Sequence, residues 1–249
     1  MKVIKRVVSS ENVAETDAKV HEVVSEVISA VRDRGDDAVR EYSRQFDNWA
    51  PESFRLGADA VERIVSTVDD EIIQDIRWVQ NRVREFALLQ RECLLDLEVE
   101  TMPGVILGHR HNPIDSSGAY VPGGRYPLVA SAHMTIVTAK AAGVRRVAAC
   151  TPPIRGEIPA VTVAAMAMAG ADEIFVMGGV QAVAGLALGT ESIERVDLLA
   201  GPGNAYVAEA KRQLAGIVGI DLFAGPTEIL VLADHSADPL TVAVDLLSQ

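Results

Sequence analysis

The 249-residue chain carries a formal net charge of −12, with 49 % apolar, 23 % charged and 4 % aromatic residues. That length supports one large folded domain or two smaller ones, and Ala, Val, Ile and Leu in place of aromatics favour helices on a buried sheet over a β-sandwich. The acidic balance argues against nucleic acid or anionic membrane as a partner, since the nearest thing to a basic cluster, Lys140 to Arg146, is small.

The opening Met1-Lys-Val-Ile-Lys-Arg6 lacks an apolar signal core, and no stretch reaches the ~20 apolar residues that span a bilayer, so a cytoplasmic protein is expected. Val20, Val23, Val24, Val27, Ile28 and Val31 recur at helical spacing up to a stop at Gly35. A second helix should turn Ala38, Val39, Tyr42 and Phe46 inward before Asn48-Trp-Ala-Pro51 breaks it. A third covers about Ala58 to Ser66. A fourth, Asp70 to Arg91, sets Ile72, Ile76, Val79, Val83 and Phe86 on one face. Leu95 to Thr101 and Val105 to His111 read as a hairpin turning at Met102-Pro-Gly104, with one face buried. Cys93 and Cys150 read as free, buried thiols in a reducing compartment.

From Gly118 onward charge falls and Ala, Val and Gly rise. Helices at Val129 to Ala142, Val161 to Ala169, Gln181 to Leu188 and Ala205 to Leu214 alternate with strands at Val147 to Cys150, Ile174 to Met177, Val196 to Leu199, Gly219 to Phe223 and Ile229 to Leu232. Such alternation implies right-handed crossovers and a parallel sheet. A last helix starts at Asp238-Pro239 and carries Leu240, Val242, Ala243, Leu246 and Leu247 to an end that reads as cut. The expected fold is α/β: a helical region with a β-hairpin, a Rossmann-like parallel sheet, and an incomplete second α/β domain, divided as residues 1–117, 118–217 and 218–249.

Ligands of a parallel sheet sit beyond the carboxyl ends of its strands. Three segments fall there: Thr151-Pro-Pro153, Gly178-Gly-Val-Gln181 and Gly201-Pro-Gly-Asn204. Gly118-Ala-Tyr-Val-Pro-Gly-Gly124 forms another glycine-rich loop before a helix. Close backbone approach at a helix start suits a phosphate, although each loop alone reads equally as a tight turn. None is a GxGxxG or GxxxxGK[ST] fingerprint, and Tyr206 stands where a third glycine would be. His109 and His111 share one strand face, where solvation outweighs metal binding; His133 reads as a hydrogen-bonded core residue. His235 falls in a polar turn. Glu228 would act on a ligand or simply edge the sheet.

Taken together, these loops with Gly189-Thr-Glu-Ser192, Glu209-Ala-Lys-Arg-Gln213, Asp221-Leu-Phe-Ala-Gly-Pro-Thr-Glu228 and Asp245-Leu-Leu-Ser-Gln249 resemble the histidinol dehydrogenase family in order and spacing, and Val31 to Asp36 and Phe46-Asp47 fit its helical start. The resemblance implies a homodimeric oxidoreductase that uses NAD and zinc to oxidise a primary alcohol to a carboxylate in two hydride transfers. It implies NAD contacts at Tyr120, Gln181 and Asn204, a substrate contact at Thr227, and a zinc and substrate ligand at Gln249. The other ligands and the Glu-His acid/base pair would lie further on, so these 249 residues alone are expected to contain no catalytic residue and to turn over no alcohol. Arg125 to Thr135 and Gly225-Pro-Thr227 look closer to relatives that oxidise sulfopropanediol, leaving L-histidinol and that diol as rival substrates. The competing reading is an inactive nucleotide-binding or assembly module of the same fold.

Overall fold

The computed structural model describes residues 10–123, 128–222 and 229–247, with side chains of the first helix described from residue 17. Helix α1 (Ser10–Arg34) buries Val20, Val24, Val27, Ile28 and Val31, the stripe its periodicity predicts, and leaves Val23 at the edge. Its last turn closes at Gly35, and α2 (Asp36–Asp47) follows at once, with Asp36 and Asp37 against its positive pole. Asn48, left-handed at φ 49°, ends it. Ala38, Val39 and Tyr42 turn inward as expected, but Phe46 is 52 % exposed. It stands in the last turn of α2, where the helix overhangs a cleft instead of the core.

Helix α3 (Ala58–Val65) leads to α4 (Asp70–Glu92), which Asp69 caps through the Glu71 amide. The buried face of α4 differs from the apolar pattern. Ile76 and Gln80 are buried, Val83 and Ala87 half-buried, and Ile72 and Phe86 exposed. This i, i+4, i+7, i+11 stripe includes a polar residue that apolar periodicity misses. Gln80 donates to Ala165 O (2.8 Å) and lies 3.1 Å from His133 Nδ1, so the core accepts its amide.

Strands β1 (Leu97–Met102) and β2 (Val105–His109) form the expected antiparallel hairpin. Both of its faces are exposed, because it pairs with no other described strand. Cys93, at the carboxyl end of α4, is also exposed; only Cys150 is buried, and both thiols are free.

The main sheet begins with β3 (Ser116–Tyr120). Helix α5 (Val129–Ala132), a π-helical turn (His133–Val137) and α6 (Thr138–Ala142) lead to β4 (Arg146–Thr151); α7 (Ala160–Ala169) leads to β5 (Glu173–Val176). Helix α8 (Gly179–Leu188) then carries the chain back across to β6 (Leu198–Ala200), and α9 (Ala205–Leu214) leads to β7 (Gly219–Ile220). All neighbours are parallel, in the order β5-β4-β3-β6-β7. The sheet is therefore doubly wound, and its direction of winding reverses between β3 and β6.

Two apolar clusters sandwich it. One joins α1, α2, α8 and α9 to one face through residues such as Val24, Val39, Leu186 and Leu214. The other joins α3, α4, the π-helical turn and α7 to the opposite face through Ile76, Ile136, Val163 and Met166. Each large aliphatic side chain so buried contributes about 1.5–3 kcal/mol.

Strand β3 takes in the first three residues, Gly118 to Tyr120, of what reads as a loop in the sequence. Ser116-Ser-Gly-Ala-Tyr120 has no β-branched residue, yet all five are buried at the sheet's centre. Small side chains are required there: a Cβ on Gly118 would lie 2.8 Å from Leu199 Cδ2. The expected helix at 129–142 is interrupted by its π-helical turn. Ile229 to Leu232 forms no strand, and Leu230 and Leu232 are almost fully exposed. Its aliphatic run satisfies a strand pattern but pairs with no described strand. Strand β7 stops at Ile220, and Phe223 lies outside the described residues. The last helix, α10 (Pro239–Leu247), starts where Asp238 and Pro239 predict, with Asp238 Oδ1 accepting from the Leu240 amide.

Candidate functional site

At the carboxyl edge of the sheet lies a cleft of about 1450 Å³. The ends of three neighbouring strands meet there, as Tyr120 closes β3, Pro152 and Pro153 follow β4, and Gly179 to Gln181 follow β5. Asn204 and Tyr206 come from beyond β6, while Phe46 and Asp47 reach in from the end of α2. The cleft thus opens at the switch point, the place where doubly wound sheets take their ligands. Tyr120, Gln181 and Asn204, the three residues expected to contact NAD, all line it.

Their local bonding differs. The Tyr120 hydroxyl accepts from the Gly179 amide at 3.1 Å, and burial pushes its pKa up, so it stays a neutral phenol with a proton to donate. Gln181, 1 % exposed, donates its Nε2 to Asp47 Oδ2 at 3.0 Å. That bond fixes which end of the amide is the acceptor, and Oε1 is left buried with no partner. An unsatisfied buried acceptor costs about 1–3 kcal/mol and marks a position where a donor is missing. Burial pushes the Asp47 carboxyl pKa up, opposed by the Gln181 bond. Asn204 is the N-cap of α9, its Oδ1 accepting from the Val207 amide at 3.1 Å, and it lines the cleft.

The glycine loop before α9 is shaped by close packing. Gly201 has φ 130°, and a Cβ there would fall onto the Tyr120 carbonyl oxygen. Only glycine lets β6 end this close to β3. At Gly178 a Cβ would meet Pro152, so the turns after β4 and β5 also touch. The tight-turn reading of these loops is therefore correct as far as it goes, and it is what brings the strand ends together around the cleft.

Sequence reasoning missed the contribution of α2. Phe46 carries a core signal, and Phe46-Asp47 fits the helical start of the family it resembles; neither marks a cleft wall before the sheet is assembled. Other candidates fall outside the site. His109 ends β2 and His111 lies beyond the strand, so they do not share a strand face; both are exposed, with ring centroids 5.0 Å apart. Among the described residues no group of three or more His, Cys, Asp or Glu side chains could hold a metal ion. His133 is a buried core residue, and burial pushes its pKa down. Lys140, Arg145 and Arg146 pair with Asp172, Asp115 and Glu173, which neutralises the basic cluster. Thr227, Glu228, Gln249, Gly124 and Arg125 to Pro127 lie outside the described residues. Among the described residues no helix is long and apolar enough to cross a membrane.

A doubly wound parallel sheet with a cleft at its switch point defines the class: a Rossmann-like α/β protein with a mixed helical and hairpin start. Within that class the histidinol dehydrogenase family model matches residues 10–249, and the chain belongs to that family. It is 58 % identical over 246 residues to a histidinol dehydrogenase homolog of Shouchella clausii, covering 99 % of this chain and 58 % of that protein. It is 44 % identical over 232 residues to the sulfopropanediol 3-dehydrogenase of Ruegeria pomeroyi, covering 92 % of this chain and 53 % of the relative. The crystal structure of histidinol dehydrogenase from Elizabethkingia anophelis superposes with a TM-score of 0.83 at 32 % identity, over 99 % of this chain and 55 % of that one. The chain spans about half the length of the curated relatives it matches.

Proposed function

We propose that this chain forms the cofactor-binding part of an NAD-dependent dehydrogenase that oxidises a small primary alcohol to a carboxylate in two hydride transfers. The observation that carries the proposal is the unpartnered, buried Gln181 Oε1, at a cleft that Tyr120 and Asn204 also line. A ribose or amide group of a dinucleotide would supply the missing donor. Residues 118–217 would form the cofactor-binding unit, flanked by 1–117 and 218–249.

Bound NAD would supply the hydride acceptor for the alcohol carbon. The chain's own residues bind and orient. Asp47 holds the Gln181 amide so that Oε1 accepts from the ligand, and Tyr120, braced by the Gly179 amide, offers its hydroxyl proton. The amides at the head of α9, beside Asn204, favour phosphate oxygens. Zinc enters the proposal only through Gln249, with Thr227 at the substrate; both lie outside the described residues, so no step is assigned to a metal. The named relatives supply two substrate classes, L-histidinol and sulfopropanediol. We further infer a homodimer in the cytoplasm, as the family resemblance implies.

The test is NADH formation by the full-length protein with histidinol and with sulfopropanediol. The expected result is turnover of one of them, with Gln181→Leu raising KM for NAD. Absence of turnover on both, or an unchanged KM in the variant, would contradict the proposal.

A further inference from the structure

The motif Glu209-Ala-Lys-Arg-Gln213 serves two sides of α9. On the outer side, Glu209 and Gln213 bond to His21 and Ser25 of α1. On the inner side, Lys211 is 4 % exposed. Its Nζ donates to Gly201 O at 3.0 Å and forms an ion pair with Asp221, just after β7. Asp221 in turn accepts the Gly201 amide through Oδ2 at 2.7 Å. Both polar groups of Gly201 are thus held by one ion pair, from opposite sides.

We propose that Lys211, through Asp221, is a positioning residue that sets the Gly201–Asn204 loop for the cofactor. This inference rests on the reading of the cleft as an NAD site. Stability alone does not call for the pair. Desolvating a buried ammonium costs several kcal/mol, and apolar replacements of buried ion pairs are often neutral or stabilising. What the pair supplies is direction. Gly201 adopts φ 130°, where no side chain of its own restrains it, at the point where β6 passes against Tyr120 O. With its N–H given to Asp221 and its C=O to Lys211, the two peptide planes that flank Gly201 are both held, and the turn through Pro202 and Gly203 delivers Asn204 to the cleft rim. Without Lys211 the Gly201 carbonyl is free to swing, and Asp221 is left as an unpaired acid beside a loop meant for phosphates.

The experiment uses the full-length protein and NAD itself as the probe, titrated by calorimetry, with thermal melting recorded in parallel. Lys211→Met and Asp221→Asn should each weaken NAD binding about tenfold, the loss of one charge-assisted hydrogen bond. Lys211→Arg should recover most of it, and the double variant should be no weaker than Lys211→Met, since both act through Gly201. KM for the alcohol should change far less than KM for NAD, a split that a merely structural lysine would not produce. Wild-type NAD affinity in folded Lys211→Met would overturn the inference. If that variant does not fold, wild-type affinity in Asp221→Asn overturns it instead. Asn204→Leu, run alongside, separates the two levels. If it leaves NAD binding unchanged, the cofactor reading fails and this inference with it; if it weakens binding while the Lys211 and Asp221 variants do not, only this inference fails.

Discussion

Replacing Gly201 by alanine tests the close approach of β6 to β3 on which the cleft depends. A non-glycine residue at φ 130° carries backbone strain, and the added methyl falls onto the Tyr120 carbonyl oxygen. Tyr120 cannot yield easily, because it closes a central strand paired with both β4 and β6. Strain and overpacking together amount to about 3–5 kcal/mol. Gly216 provides the control. It has φ 92°, but no atom lies within 4 Å of the position its Cβ would take, so Gly216→Ala carries strain alone, about 1–3 kcal/mol. The difference of about 2 kcal/mol corresponds to a Tm roughly 4–8 °C lower for Gly201→Ala than for Gly216→Ala. Thermal and urea unfolding followed by circular dichroism would measure it. If the two variants melt together, the steric account of the strand junction is wrong.

Three further predictions concern charge and assembly. Glu209, held by Arg212, Gln213 and His21, has its pKa lowered from its ordinary 4.5 to about 2. Its contribution is therefore present above pH 4.5 and lost as pH falls toward 2, so the stability gap between wild type and Glu209→Gln should close over that window; a pH-independent gap would refute it. Burial lowers the His133 pKa below 6.5, so the unfolded state binds the proton first, and stability should fall as pH drops below 6.5. His133→Leu should remove that slope, and an identical slope in both proteins would show that another group causes it. Sedimentation of the full-length protein should give the dimer proposed above. A compact monomer at all concentrations would count against that assembly.

Much of the architecture is legible because its signals are local. Gly143 and Gly170 end their helices in left-handed geometry, and Asp238-Pro239 starts α10, as the residue types predict. The crossovers follow from apolar strands alternating with helices. What escapes the sequence depends on partners distant in the chain. Ser116 to Tyr120 is a strand because helices crowd both of its faces, not because its residues favour extension. Gln80 belongs to the buried face of α4 only because His133 and Ala165 meet its amide. The same holds at the site. Tyr120, Gln181 and Asn204 are marked by motifs near glycine turns, whereas Asp47 acquires meaning only when α2 comes to rest beside α8, with the Gln181 amide within reach.

The most direct test of the cofactor site is hydrogen exchange of the full-length protein with and without NAD, read by peptide. The account predicts that NAD slows exchange in the segments around Tyr120, Pro152 to Val161, Gly178 to Gln181 and Gly201 to Tyr206, which line or frame the cleft, and leaves the hairpin at Leu97 to His109 unchanged. Protection centred elsewhere, or none at a saturating concentration of NAD, would contradict it.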